Sequence, residues 1–273
     1  MKTLTAAATL SLLAALASAC SLAADDGATS DEEAATVSSA LDTGVSATEL
    51  ESLTSADASL AARTLAAGET GEAKRCRTRT LDAERPNVVH VKLTDCSGRF
   101  GRHVVNGDIT VTFTAGAEGA LHAEHASENL TIDGRPATRA VSADITFSAE
   151  GRRVVRRATT SGTNARGESF TRRAEEVVTV DRTSRCRTIN GAGTATFEGG
   201  RVVKSTISDL RLCEDEAGAD LCPTGTVTHA NAAAGKQVTQ VFDGSATAKV
   251  ELSRRRRSES RTWTLDCTPL AAR

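Results

Sequence analysis

Over much of the chain, apolar and polar residues alternate one for one. Ile109, Val111 and Phe113 alternate with Thr110, Thr112 and Thr114, and Val141, Ala143, Ile145 and Phe147 alternate with Ser142, Asp144, Thr146 and Ser148. Residues 238–250 form another Thr- and Val-rich stretch, and Trp263, Leu265 and Cys267 share one parity. Successive side chains of a strand point to opposite faces, so a period of two carried by β-branched residues predicts half-buried strands. The pairs Asn106-Gly107, Asp133-Gly134, Glu150-Gly151, Asn190-Gly191, Glu198-Gly199 and Asp243-Gly244 fall between such runs. Asn-Gly and Asp-Gly supply the positive φ angles of tight hairpins, so these pairs predict turns. An apolar residue precedes Asn-Gly or Asp-Gly at Val105, Ile132, Ile189 and Phe242, but at irregular spacing. That weak repetition describes similar hairpins in a meander and not a solenoid. Short connections make sequence neighbours antiparallel partners. The expected fold is all-β, an antiparallel meander of about ten to twelve strands as a curled sheet, sandwich or incomplete barrel, with disulfides.

The alternation is absent before residue 74. Met1-Lys2-Thr3 is followed by an uncharged apolar run from Leu4 to Ala19. A membrane span needs about 20 apolar residues, and this run is shorter and ends in the small residues Ala17-Ser18-Ala19. A basic start, a short apolar stretch and a small-residue exit predict a secretory signal over residues 1–19. Residues 21–73 carry eleven acidic residues and one basic residue, Arg63, with no Pro, aromatic or Cys. Such a segment buries too little apolar surface to offset its ordering entropy, so residues 20–73 are read as an acidic flexible linker. A short helix is permitted at Ala47–Leu65, where Leu50, Leu53 and Leu60 fall near helical spacing. Residues 74–273 hold 31 basic and 24 acidic residues, so a whole-chain charge of −2 conceals an acidic leash and a basic domain. About 200 residues suit one domain with a sizeable core.

The seven cysteines are Cys20, Cys76, Cys96, Cys186, Cys213, Cys222 and Cys267. An odd number in an exported chain calls for an explanation. If Cys20 is consumed otherwise, six remain, and outside the cytosol six thiols pair into disulfides. Cys76 and Cys96 bracket two strand-like segments around a turn and fit one cross-linked hairpin. Two arrangements of the other four stay open. Cys213–Cys222 closing an acidic loop leaves Cys186–Cys267, and the sequential alternative is Cys186–Cys213 with Cys222–Cys267. No CxxC pair exists, so the cysteines do not read as a zinc site.

Little in the sequence points to catalysis. Of five histidines only His122 and His125 are close, in His-Ala-Glu-His. On a strand His122 and Glu124 share a face and His125 points the other way; the histidines read as solvated surface residues. No GxSxG elbow, phosphate-binding loop or dinucleotide fingerprint is present, no catalytic residue is singled out, and neither a metal nor a cofactor is expected. Six Phe and one Trp, roughly one per hairpin, read as core filling and not as a stacking platform for bases, so nucleic acid is not an expected partner. The sharpest charge feature is Arg254, Arg255, Arg256 and Arg257, a candidate site for phosphates, acidic glycans or anionic headgroups. Arg152-Arg153, Arg156-Arg157 and Arg172-Arg173 add doublets. The plainer reading of all these arginines is a charged loop and strand exteriors that blunt sheet edges.

Leu16-Ala17-Ser18-Ala19-Cys20 resembles the lipobox of bacterial lipoproteins, in which the Cys becomes the first mature residue and carries the lipid. Together with Cys76–Cys96, the following Gly98-Arg99-Phe100-Gly101, and Cys222-Pro223 through Cys267, the chain resembles uncharacterised envelope lipoproteins of GC-rich bacteria. These combine a lipobox, an Ala/Ser-rich spacer and a cysteine-paired β domain. The resemblance implies a palmitate-type membrane anchor on Cys20 and a place in the bacterial cell envelope. Ser21 after the Cys implies the outer membrane; without lipidation the protein would be periplasmic or secreted. No reaction is implied. Three roles follow as expectations: a non-enzymatic structural or binding module, a periplasmic-type carrier of a lipid or other apolar ligand, and a polyanion binder using the Arg clusters.

Overall fold

A computed structural model of the chain describes residue 53 and residues 55–67, 76–97, 104–164, 166–213, 221–255 and 257–265. The signal-like run, Cys20, Phe100, Arg256 and Cys267 lie outside the described residues. Thirteen strands follow one another: β1 (Arg77–Leu81), β2 (Val88–Ser97), β3 (Val104–Ala115), β4 (Leu121–Ile132), β5 (Arg135–Phe147), β6 (Gly151–Thr163), β7 (Ser169–Asp181), β8 (Cys186–Phe197), β9 (Val202–Cys213), β10 (Thr224–Asn231), β11 (Lys236–Asp243), β12 (Thr247–Arg254) and β13 (Arg257–Thr264). They form one antiparallel sheet in strict sequence order, the expected meander with one strand beyond the expected range. The last strand, RSESRTWT, is exposed at nearly every position, and of the Trp263, Leu265 and Cys267 parity read from the sequence only Trp263 falls within it.

The sheet does not close: β1 pairs only with β2 and β13 only with β12. One parity of each strand is nonetheless buried from β2 to β12, from Val89 and Val111 through Val154 and Val178 to Val238 and Val250. A flat open sheet cannot cover thirteen strands with one short helix, so this face is buried by its own curvature, giving an incomplete barrel. Bulges in β2, β4 and β9 add local twist to that curvature.

Inside the curl, the helix α1 (Ala58–Ala67) packs on β1, β2 and β3. Asp57 starts it by accepting the Leu60 N–H at 2.7 Å, satisfying a donor that the first turn leaves open. Leu53, Ala61, Ala62 and Leu65 are buried in the same core as Val111, Phe113, Leu121, Ile145, Val154 and Val178. Burying a leucine side chain is worth about 1.5–3 kcal/mol, enough for Leu53 and Leu65 to hold a short Ala-rich segment on the sheet. Arg152 donates to the Leu53 carbonyl at 2.6 Å and ties the segment to β6. Leu53 and residues 55–67, read from the sequence as part of a solvated leash with a short helix permitted at Ala47–Leu65, are therefore a packed element; small Ala side chains let the helix sit close, and two leucines supply the apolar area. Leu60, counted on the predicted apolar face, is exposed.

Two disulfides join strand neighbours. Cys76–Cys96 links the start of β1 to β2, as expected, and Cys186–Cys213 joins directly paired residues of β8 and β9. The second bond selects the sequential alternative over a Cys213–Cys222 loop. Cys222 is disulfide-bonded as well, while Cys267 lies outside the described residues.

Four of the six expected turn pairs sit at hairpin turns or begin the strand just after one. Asn106-Gly107 and Asn190-Gly191 do not; they lie inside β3 and β8, at bulges. At each, the Asn side chain clasps a positive-φ Asp on a neighbouring strand. Asn106 Oδ1 accepts the Asp95 N–H at 2.7 Å, and Asn190 Oδ1 accepts the Asp209 N–H at 2.8 Å. The glycine beside each Asn is needed for close approach: a Cβ on Gly107 would lie 2.7 Å from Leu130 Cα, and one on Gly191 2.7 Å from the Glu175 carbonyl oxygen.

Candidate functional site

The alternation that buries valines in β2–β5 places charged residues on the same inner face in the middle of the sheet. In β6 the inward positions are Val154, Arg156, Ala158 and Thr160; in β7 they are Phe170, Arg172, Ala174, Glu176 and Val178. Arg139 on β5, His125 on β4, Ser205 on β9 and His229 on β10 are buried with them. Register lines them up in three adjacent rows. The first contains Arg139, Thr160, Arg172 and Ala195. The second runs His125, Val141, Ala158, Ala174, Gly193, Ser205, His229. The third contains Ala143, Arg156, Glu176 and Gly191. This ionic belt separates the helix-filled apolar core from a smaller apolar cluster of Phe170, Ala195, Phe197 and Val203.

Small residues make the belt feasible. Ala158, Ala174 and Gly193 form the row between the arginines, and a Cβ on Gly193 would come within 3.3 Å of Arg172 Nη2. Arg156 donates through Nε to Glu176 Oε2 at 2.7 Å, and through Nη2 to the same oxygen. Arg172 Nη2 stands 3.8 Å from Glu176 Oε1. Glu176 is the only carboxylate buried among the described residues, so two guanidinium groups share one negative charge. The buried atoms Arg172 Nε, Thr160 Oγ1 and His125 Nε2 have no hydrogen-bond partner among the described residues. Orphaned groups of this kind are uncommon in folded proteins and call for a water, an ion or a ligand.

Both buried histidines are held neutral. Burial first, then the charges of Arg139 and Arg156, push His125 down to about 3. Burial and Arg172 push His229 down to about 4. The Ser205 hydroxyl lies 2.9 Å from His229 Nδ1, which has the form of half a nucleophile–base pair. A general base must become imidazolium in the reaction, and here the adjacent charge is the cation Arg172. The only carboxylate buried among the described residues is bonded to Arg156 and does not orient His229. The pair therefore acts as a satisfied buried hydrogen bond.

The arginines singled out in the sequence divide between two places. In the doublets Arg156-Arg157 and Arg172-Arg173, the first residue is buried and the second exposed. The strand-exterior reading holds for Arg157 and Arg173 and fails for Arg156 and Arg172, because adjacent strand residues must face opposite ways. Arg254 and Arg257 are directly paired at the ends of β12 and β13, and Arg255 turns the hairpin between them with φ 29°. Arg254, Arg255 and Arg257 thus sit at one hairpin tip, with Arg255 donating its backbone N–H to the Gly235 carbonyl of the adjacent hairpin at 3.0 Å.

His122 and Glu124 do share the outer face, 3.7 Å apart, with His122 2.7 Å from Asp144 and Arg157 3.0 Å from Glu175. His125 points inward as the strand geometry required, and it is buried where a solvated position had been expected. The belt itself was not seen in the sequence. Its signal was parity: Arg156 lies in step with Val154 and Ala158, Arg172 with Phe170 and Ala174, and Glu176 with Val178.

No group of three or more His, Cys, Asp or Glu residues suited to a metal occurs among the described residues, and no described helix is long and apolar enough to cross a membrane. No protein family is matched by the chain, and neither a curated protein nor a solved structure is significantly similar to it.

Proposed function

We propose that this chain is an exported bacterial envelope protein, tethered by a lipid on Cys20, whose β domain is a non-enzymatic module that binds an anionic ligand within its curled sheet. The observation that carries the binding part is the inner-face belt, where Arg156 and Arg172 share Glu176 and further donors lack acceptors. Buried charge is costly unless compensated, so an ionic belt inside a β domain is more readily explained by a ligand than by stability. The envelope part draws on the Leu4–Ala19 run, on Cys20 and on disulfides, which are favoured by an oxidising space.

The carrier of a purely apolar ligand has less support. That role needs an apolar concave face, and here the larger apolar part of the face is occupied by α1 and an ionic belt separates it from the smaller one. The polyanion reading of the Arg254–Arg257 run has less support as well, because Arg254 and Arg257 sit at a single hairpin end, away from the inner-face belt.

Three measurements test the proposal. Radiolabelled palmitate should enter the protein expressed in a bacterial host, and Cys20→Ala should abolish the label and release the chain from membranes; label retained in Cys20→Ala would overturn the anchor. Native mass spectrometry of the oxidised chain should find a bound small anion; a bare polypeptide mass under conditions that preserve non-covalent complexes would count against the binding role. Ester hydrolysis lost in Ser205→Ala would replace the module with an enzyme.

A further inference from the structure

Resting on that reading, we infer that β6 and β7 hold a phosphate-type oxyanion between Thr160 and Arg172, with His125 at its margin. Thr160 and Arg172 are directly paired across the two strands, with their side chains on the inner face. Thr160 is 1% exposed and Arg172 4%, and each carries a donor, Oγ1–H and Nε–H, that meets no acceptor among the described residues. His125, 6% exposed, adds an Nε2 in the same condition. Polar atoms removed from water without a partner are uncommon, and two donors on directly paired residues point to one missing acceptor.

Its charge follows from Glu176. That carboxylate is committed to Arg156, while Arg172 stands at 3.8 Å from its other oxygen, so Arg172 is only partly compensated and an anion completes it. The row beside Thr160 and Arg172 consists of Ala158, Ala174 and Gly193, which add no hydrogen-bonding side chain of their own. Donors on different strands and of different kinds suit the several oxygens of a tetrahedral anion better than the two coplanar oxygens of a carboxylate. Guanidinium groups recognise phosphate with charge-assisted hydrogen bonds. The same chemistry is offered by free phosphate and by the phosphomonoester head of an amphiphile, whose chain could lie toward Phe170 and Phe197.

Isothermal titration of the oxidised full chain with inorganic phosphate, with acetate and with dihexanoyl phosphatidate at matched ionic strength tests this. One phosphate per chain should bind and acetate should not. Thr160→Val preserves shape and removes the hydroxyl, so it should weaken phosphate binding by about tenfold, the scale of one hydrogen bond to a charged group. Arg172→Met should abolish binding, and Arg254→Gln with Arg257→Gln should leave it unchanged. Tighter binding of dihexanoyl phosphatidate than of phosphate assigns the amphiphile; equal affinity assigns the free ion. Absence of phosphate binding, or binding indifferent to Thr160→Val and lost in the Arg254→Gln, Arg257→Gln variant, would overturn the site. A bound anion of another kind in the native mass, with no phosphate binding, would sink this inference and leave the broader reading standing.

Discussion

Glu176 on β7 accepts the Nε–H of its register partner Arg156 on β6 at 2.7 Å, with both side chains buried. A buried pair of this kind contributes little net stability against an apolar pair, but removing one partner leaves the other charge stranded. Glu176→Gln should therefore cost about 3–5 kcal/mol, because Arg156 loses its counter-charge and Arg172 its nearest carboxylate. Replacing both Arg156 and Glu176 by methionine should cost much less than either single change. Urea unfolding of the three variants checks this; equal losses in the single and double variants would show that the pair acts through packing.

The neutral histidines make stability depend on pH. His125 and His229 have folded values of about 3 and about 4, below the 6.5 of an unperturbed histidine. Below 6.5 the unfolded chain binds protons that the folded chain refuses, so this contribution is complete above that pH and is lost as pH falls toward about 4 and then about 3. Each histidine adds a slope approaching ~1.4 kcal/mol per pH unit in that window. Urea midpoints measured between pH 7 and 5, above the range where exposed carboxylates titrate, should fall with pH, and His125→Gln should flatten the fall. A midpoint independent of pH over that window would refute the burial of both rings as neutral groups.

The strand pattern was legible wherever one face met an apolar interior, as at Ile109–Phe113 and Val141–Phe147, and the meander followed from short connections. In β13 only Trp263 carried it, because nearly every other position is exposed, and around Leu53 and Leu65 a helix was legible but its burial was not, because acidic composition masked two well-placed leucines. The belt was hidden for a different reason. Arg156, Arg172 and His125 were judged by residue type, which favours the surface, when their parity with Val154, Phe170 and Leu121 already placed them inside. Asn-Gly was likewise judged as a turn; Asn106 and Asn190 instead clasp bulges, because an Asn side chain can bind backbone within a sheet as readily as in a hairpin.

Gly191 tests that last point. It pairs with Glu176, and a Cβ there would lie 2.6 Å from Glu176 Cγ and 2.7 Å from the Glu175 carbonyl oxygen. The backbone cannot yield without breaking the β7–β8 ladder, so Gly191→Ala should destabilise by about 1–3 kcal/mol and loosen the Arg156–Glu176 contact as well. Gly199 provides the contrast: its φ is +85° and nothing lies within 4 Å of a Cβ, so Gly199→Ala carries only left-handed strain, roughly 1–2 kcal/mol. Combining each with the Arg156→Met, Glu176→Met pair separates them. Gly191→Ala should couple with the pair and Gly199→Ala should add independently.

Cys186–Cys213 staples register partners 27 residues apart, on the two strands that flank the Asn190–Asp209 clasp. Because the ladder already holds these residues together in the native state, the bond's main effect falls on the unfolded chain, whose freedom it restricts. The chain-entropy relation puts that effect at about 3–4 kcal/mol for a loop of this size. Cys186→Ser with Cys213→Ser should lower the urea midpoint accordingly, while native-state hydrogen exchange keeps the same order of protection across β7, β8 and β9. If β8 and β9 amides instead became the fastest to exchange, the bridge would be holding the native ladder itself, and the clasp would have to be too weak to fix the register alone.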